Sequence, residues 1–311
     1  PIIRPAAIGG LMLVIMETIS DFGAVDHFAI QTFTTGIFRT WYGMYDLQTA
    51  MQLASLLLII VGIFFILERN SRDRAAFTAN DSSFVPEDGI RLSKIKSSFL
   101  FLICFVPIFI GFIQPITELT LWAFESKSSF FSQKFIQTSF NSISLAITAG
   151  LVTAILAVII NFSIRFKPSS FIQRLSSLLS IGYAVPGLIL AVGMVQLLIY
   201  LDNNVLNSVD VVLTGSLFGL LLAYIIKTYA LANSSVESGY ESITSSMDDS
   251  SKLLGTSGWS MLIRVHSPLL RTSFLTAILL VISEVVKELP ATLILRPFNF
   301  ETLAVSTYIC C

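Results

Sequence analysis

Seven apolar stretches, near residues 6–23, 48–67, 98–119, 140–162, 174–200, 210–232 and 272–290, are long enough or nearly so to cross a lipid core. That core is about 30 Å thick and a helix rises about 1.5 Å per residue. A chain that must satisfy its own backbone inside lipid can only form helices or a closed barrel, and runs of this length favour helices. Composition agrees: mean hydropathy is +0.80, and only 13% of residues are charged, against about 25% in a soluble domain. The expected fold class is an all-α polytopic membrane protein with about seven transmembrane helices. Proline residues 107, 115 and 186 fall inside these stretches, and Pro186 is expected to kink its helix.

The chain also repeats itself. Residues 1–42 recur without a gap at 268–309. The first copy opens PIIRPAAIGGLMLVIMETISDFGA and the second PLLRTSFLTAILLVISEVVKELPA. Arg4 pairs with Arg271, Glu17 with Glu284, Asp21 with Glu288 and Trp41 with Tyr308. Repeats of this kind in an apolar chain point to a two-fold transport pathway.

Orientation follows from the basic residues. With the N-terminus of the chain in the cytoplasm, 14 Lys and Arg, Lys227 among them, fall in cytoplasmic segments and 5 on the other side. Six crossings then separate the two copies, so the repeat is parallel. The expected organisation is two last helices of a first half over 1–67, a polar cytoplasmic linker over 68–97, and a second half over 98–311 of five helices whose final helix is missing. Pro1 at the start and the stop at Cys311 suggest a piece cut at both ends. Three cysteines give no disulfide framework.

The polar stretch 233–271 has a legible local pattern. A short helix is expected at Asp248–Leu254, with the acidic pair Asp248 and Asp249 at its positive end. Gly255 can take positive φ and end that helix. A second amphipathic run, Trp259–Val265, leads to Pro268. This stretch resembles the cytoplasmic motif of ATP-binding-cassette (ABC) importer permeases, E-A-A-x-x-x-G followed after nine residues by I-x-L-P. Here Asp249, Ser250, Ser251, Gly255, Val265 and Pro268 take the motif positions, with Ser267 at the Leu position. Asp replaces Glu and two serines replace two alanines, so charge sign and small size persist.

The segments MDDSSKLLG, GYAVPGLILAVG, ETISDFGAVDHFAIQTFTTGIFRTW and KELPATLILRPFNFETLA extend the resemblance to the fused two-domain permeases of ferric-iron ABC importers, in order along the whole chain. The resemblance implies a type I importer (MetI-like) helical bundle in the bacterial inner membrane. It implies two partners besides the lipid bilayer: a cytoplasmic ABC ATPase dimer docked on the loop, and a periplasmic substrate-binding protein that delivers ferric iron. ATP is then used by the partner and no cofactor is bound by this chain, which has no G-x-x-x-x-G-K-[ST] phosphate loop. The implied role is a transport permease and not an enzyme, and no nucleic-acid partner is expected. Thiamine, phosphonate or polyamine permeases share much of this frame. An ion-coupled secondary transporter with parallel halves is the alternative from outside the family, and it would not need the motif loop.

Carboxylates within lipid cost about 2.5–3.5 kcal/mol unless they face protein or water. Glu17 and Asp21 are four residues apart, as are Glu284 and Glu288, so each pair is expected on one helix face. Lys287 is placed to pair with Glu284. Two readings stand for these five residues: transient contact with a cationic cargo, for which oxygen ligands suit ferric iron, or bracing and gating between helices. No stable metal site is expected. His27 and His266 are expected as interfacial polar residues. Segments 24–47 and 291–311, with Trp41, Tyr42 and Phe298, fall on the outer side as an aromatic belt or a docking face for the binding protein.

Overall fold

A computed structural model describes residues 3–79, 93–125, 132–166, 169–205 and 212–310. Every regular element among them is helical: α1 (Ile3–Ser20), α2 (Gly23–His27), α3 (Phe33–Phe38), α4 (Leu47–Ala79), α5 (Lys94–Ile108), α6 (Gln114–Glu125), α7 (Gln133–Phe166), α8 (Ser170–Ile181), α9 (Gly187–Asn204), α10 (Leu217–Glu241), α11 (Ser245–Leu253), α12 (Trp259–Met261), α13 (Ser267–Leu269), α14 (Arg271–Lys287), α15 (Pro290–Leu295) and α16 (Leu303–Cys310). The chain divides into two compact units, one of residues 1–75 with 137–311 and one of residues 76–136.

Within the second unit α5 and α6 join through a wide π turn at Phe109–Ile113. Together they form an apolar helix over Lys94–Glu125 with no buried residue in its apolar window. The π turn lies between Pro107 and Pro115, each of which removes one backbone donor from the helical ladder.

The first unit carries the main core. Its α7 presents a stripe of small buried residues, Ala146, Ala149, Gly150, Ala154 and Ala157. Gly150 lies against Ile278 of α14. Small side chains let helix backbones approach closely, the usual packing device where lipid removes the hydrophobic drive between helices. Buried Tyr224 and Tyr229 of α10, Leu198 of α9 and Val281 of α14 fill the same core. A second cluster packs Ile37, Leu57 and Val61 on Leu188 and Val192 of α9.

The repeat is visible in three dimensions. Both copies run as a long helix (α1, α14), a short helix (α2, α15), a loop and a further helix (α3, α16). The two copies touch where the Tyr308 hydroxyl donates to Asp26 at 2.7 Å. The Phe22 ring lies 5.8 Å from the Tyr308 ring.

The helical membrane class holds, with fewer candidate spans among the described residues than the hydropathy pattern suggested. Among the described residues five helices are long and apolar enough to cross a membrane, or six if Trp259–Leu269 and α14, bent by 78°, form one span. The stretch 174–200 is not one kinked helix. Helix α8 stops at Ile181, a 3-10 turn covers Gly182–Ala184, and α9 restarts at Gly187 with Pro186 as its N-cap. The residue before a proline avoids the helical region, and Val185 is extended at φ −78°, ψ 124°. The apolar part of α1 is a short helix over Gly10–Ser20.

Helix α4 runs on to Ala79, so the start of the expected linker is helical, while residues 80–92 lie outside the described residues. Helix α10 continues to Glu241, which removes 233–241 from the expected loop. It also places Lys227 in a helix interior, so Lys227 leaves the count of loop charges.

Candidate functional site

Two constellations stand out, and both lie in the first unit. The first is a cavity of about 570 Å³ whose lining includes Glu17, Asp21, Glu284, Lys287, Glu288 and Pro186. All five residues expected on the pathway therefore meet in one place, with the proline of the broken span as part of the wall. The lining adds Lys227 and Tyr183, which sequence reasoning did not assign to the site.

The two carboxylate pairs do not share a helix face as expected. Helix α1 ends at Ser20 and α14 at Lys287, so Asp21 and Glu288 lie just past the helix ends. Glu288 is the C-cap of α14 with extended backbone. The chain turn there, and not helical spacing, aims both residues into the cavity.

Each of three carboxylates has a partner. Glu284 pairs with Lys287 at 2.7 Å, as its i,i+3 spacing suggested. Glu17 accepts from the Tyr183 hydroxyl at 3.2 Å. Glu288 is buried and bonded to the Lys227 ammonium. Its other oxygen accepts from the Ala291 amide at 3.3 Å, at the start of α15. This pair is built tightly: a Cβ on Gly187 would sit 2.1 Å from Glu288 Oε1 and 2.9 Å from Lys227 Nζ. Only glycine lets the α9 start approach the pair that closely. Nearby, the Tyr224 hydroxyl meets Thr292, whose hydroxyl donates to the Glu288 carbonyl at 2.6 Å. The Asp21 side chain has no hydrogen-bond or ion-pair partner among the described residues.

Four carboxylates against two ammonium groups leave the cavity acidic by two charges. Among the described residues no three His, Cys, Asp or Glu side chains come together as a metal cage. The arrangement suits brief contact with a cation.

The second constellation is the motif loop. Helix α11 spans Ser245–Leu253, close to the expected segment, and Gly255 follows at φ +82° in open space. The amide of Gly255 donates to the Lys252 carbonyl at 2.9 Å, closing the helix. The two adjacent aspartates have different fates. Asp249 is exposed and pairs with Lys252 at 3.0 Å. Asp248 points inward, accepts from Arg165 Nε at 2.8 Å and lies 3.0 Å from His266 Nε2. Arg165, at the end of α7, also donates to the carbonyls of Tyr240 (3.1 Å) in the last turn of α10 and of Ile243 (2.6 Å) just past its end. One guanidinium thus fastens α7, α10 and α11 together.

His266, expected as an interfacial polar residue, is instead fully buried among Phe162, Phe166 and Tyr240. Burial holds its pKa below the ordinary value, outweighing the opposing pull of Asp248. A neutral imidazole donating from Nε2 to Asp248 fits this. The apolar residues Leu253 (90% exposed) and Leu254 (85%) project from the end of α11. Of the motif residues, Ser251 is buried, while Asp249, Ser250 and Pro268 are exposed and Val265 is partly so.

No family model matches the chain. Over 317 aligned residues, 99% of this chain, it is 24% identical to the Fe(3+)-transport system permease protein FbpB 2 of Haemophilus influenzae. The chain spans 60% of that relative's length. The likeness and the apolar helices together support a multi-pass membrane protein with the helical frame of a permease.

Proposed function

We propose that this chain is the membrane-spanning part of an ABC importer permease that carries ferric iron from a periplasmic binding protein into the cytoplasm. The work is done by a separate ATPase dimer docked on α11 and the turn at Gly255. The N-terminus of the chain and the motif loop face the cytoplasm. The cargo comes from the likeness to the Fe(3+) permease, and an acidic cavity fits a hard cation that prefers oxygen ligands.

The observation that carries the docking role is the way α11 is held. Its inner side is fixed by Asp248 to Arg165 and His266, while Leu253 and Leu254 project bare from its end. Exposed apolar anchors on a rigid base are what a partner cleft takes up. Because Arg165 also ties the ends of α7 and α10, a push on α11 reaches two long helices at once. Closing of the ATPases on ATP then tilts those helices and opens the cavity outward; hydrolysis resets them. Glu17, Asp21, Glu284 and Glu288 meet the ion in passing, and Lys227 and Lys287 keep it from staying.

The test uses the full permease in cells lacking their own ferric uptake, with radiolabelled ferric iron. Gly255→Pro removes the amide bond to Lys252 and cannot adopt φ +82°. Iron uptake by the wild type that this change abolishes, with the protein still in the membrane, is the expected result. Uptake that survives overturns the docking role, and no wild-type iron uptake overturns the cargo.

A further inference from the structure

On the docking-loop side of the first unit, a groove of about 480 Å³ opens between α7 and the 78° bend that leads into α14. Its volume is within the roughly 300–1,000 Å³ of small-molecule sites. Its walls are apolar, with Ile155 and Ile159 from α7, Ile263 before the bend, and Phe274 and Leu275 after it. Besides the Trp259 indole, the polar lining is confined to Ser267 and Arg271, four residues apart across the bend. Arg271 is exposed. Among the described residues no carboxylate pairs with it, whereas Arg165 and Lys252 both have acidic partners.

We infer that this groove is a binding site for an anionic glycerophospholipid, with the acyl chain against α7 and α14 and the phosphate on Arg271. Three observations select that occupant. Helix α7 is long and apolar enough to span a membrane and α14 belongs to a bent pair that passes the same test, so lipid is the medium expected against the groove between them. The unpaired guanidinium supplies the charge complement of a phosphodiester and can grip two of its oxygens at once. Trp259, more than half exposed at the same place, has the amphipathic ring favoured at the headgroup level. Basic pockets between spans at the membrane boundary bind acidic headgroups for the same reasons. The lipid would seat on the joint between the docking loop and α14, where it would brace the bend at Leu270.

The experiment offers equal amounts of palmitoyl-oleoyl phosphatidylglycerol and phosphatidylcholine to the full permease in neutral detergent and measures the bound ratio by native mass spectrometry. One unshielded arginine predicts a preference of about five-fold for the anionic lipid. Arg271→Gln is expected to bring the ratio close to one, and Arg271→Lys to retain most of it. Ile159→Trp, which fills the groove, is expected to lower retention of both lipids. Arg264→Gln, at an arginine of the helical turn Leu262–His266 that does not line the groove, is expected to leave the ratio unchanged. Equal binding of the two lipids by the wild type overturns the inference. So does a preference that survives Arg271→Gln, or one that Arg264→Gln reduces as much. The readout does not depend on the cargo or on ATPase docking.

Discussion

In the second copy of the repeat, Glu284 is held by Lys287 and Glu288 by Lys227 from a neighbouring helix. In the first copy the matching Glu17 accepts from a tyrosine hydroxyl and feels Lys287 without forming an ion pair with it, and the matching Asp21 has no side-chain partner among the described residues. The backbones agree closely: α1 ends at Ser20 and α14 at Lys287, the same repeat position. The loops that follow also differ. Thr32 and Thr35 form a reciprocal capping box at α3, while the position equivalent to Thr32 is Asn299 at φ +59°. Duplication has thus supplied one scaffold twice, and side chains have made one end a lock and the other an open acidic rim. An acidic cavity with half its charge neutralised can attract a cation without trapping it, which conduction requires.

The largest effect should come from unlocking the second copy. Lys227→Met leaves the buried Glu288 carboxylate alone, which should cost about 3–5 kcal/mol of stability. Denaturant unfolding in detergent reads this loss. The double change Lys227→Met, Glu288→Met should recover most of it, and failure to recover would show that the pair is not what Lys227 holds. Gly187→Ala forces an atom into the pair and should cost about 1–3 kcal/mol in the same assay. The first copy's equivalent of Glu288, Asp21, has no such neighbour to disturb.

Glu284→Gln breaks a pair whose lysine is 64% exposed. Solvent screening limits that loss to under about 1 kcal/mol. Asp21→Asn should be smallest of all, within about 0.5 kcal/mol of wild type. If Asp21→Asn destabilised as much as Lys227→Met, the contrast between the copies would fail.

Much of this was legible in the chain because it is local. The helix before Gly255 and the Glu284–Lys287 pair follow from spacing within one turn or one segment, and the repeat follows from laying two stretches of sequence side by side. Lys227 was hidden because it sits near the cytoplasmic end of the apolar stretch 210–232 and counts with the loop charges that follow, whereas α10 continues to Glu241 and makes it a helix-interior residue. Its partner lies 61 residues away. Asp248 and Asp249 are neighbours in sequence, and a helix turns about 100° per residue, so one faces Arg165 and the other solvent. Only the fold reveals which. Pro186 announced a disturbance but not its extent, because whether the chain kinks or breaks depends on what can re-satisfy the freed backbone groups. His266 gave no signal in sequence, since its partners come from α11 and its cage from α7 and α10.

The most direct test replaces both carboxylates of the open copy, Glu17→Gln with Asp21→Asn, in the full permease together with the ATPase and binding protein proposed as its partners. Radiolabelled ferric uptake and ATP hydrolysis are measured side by side in vesicles. Loss of charged contacts to the passing ion should cut uptake by about ten-fold or more, with hydrolysis and membrane insertion maintained. Uptake at the wild-type rate would mean that these carboxylates only brace helices, and would contradict the cavity as the path of the ion.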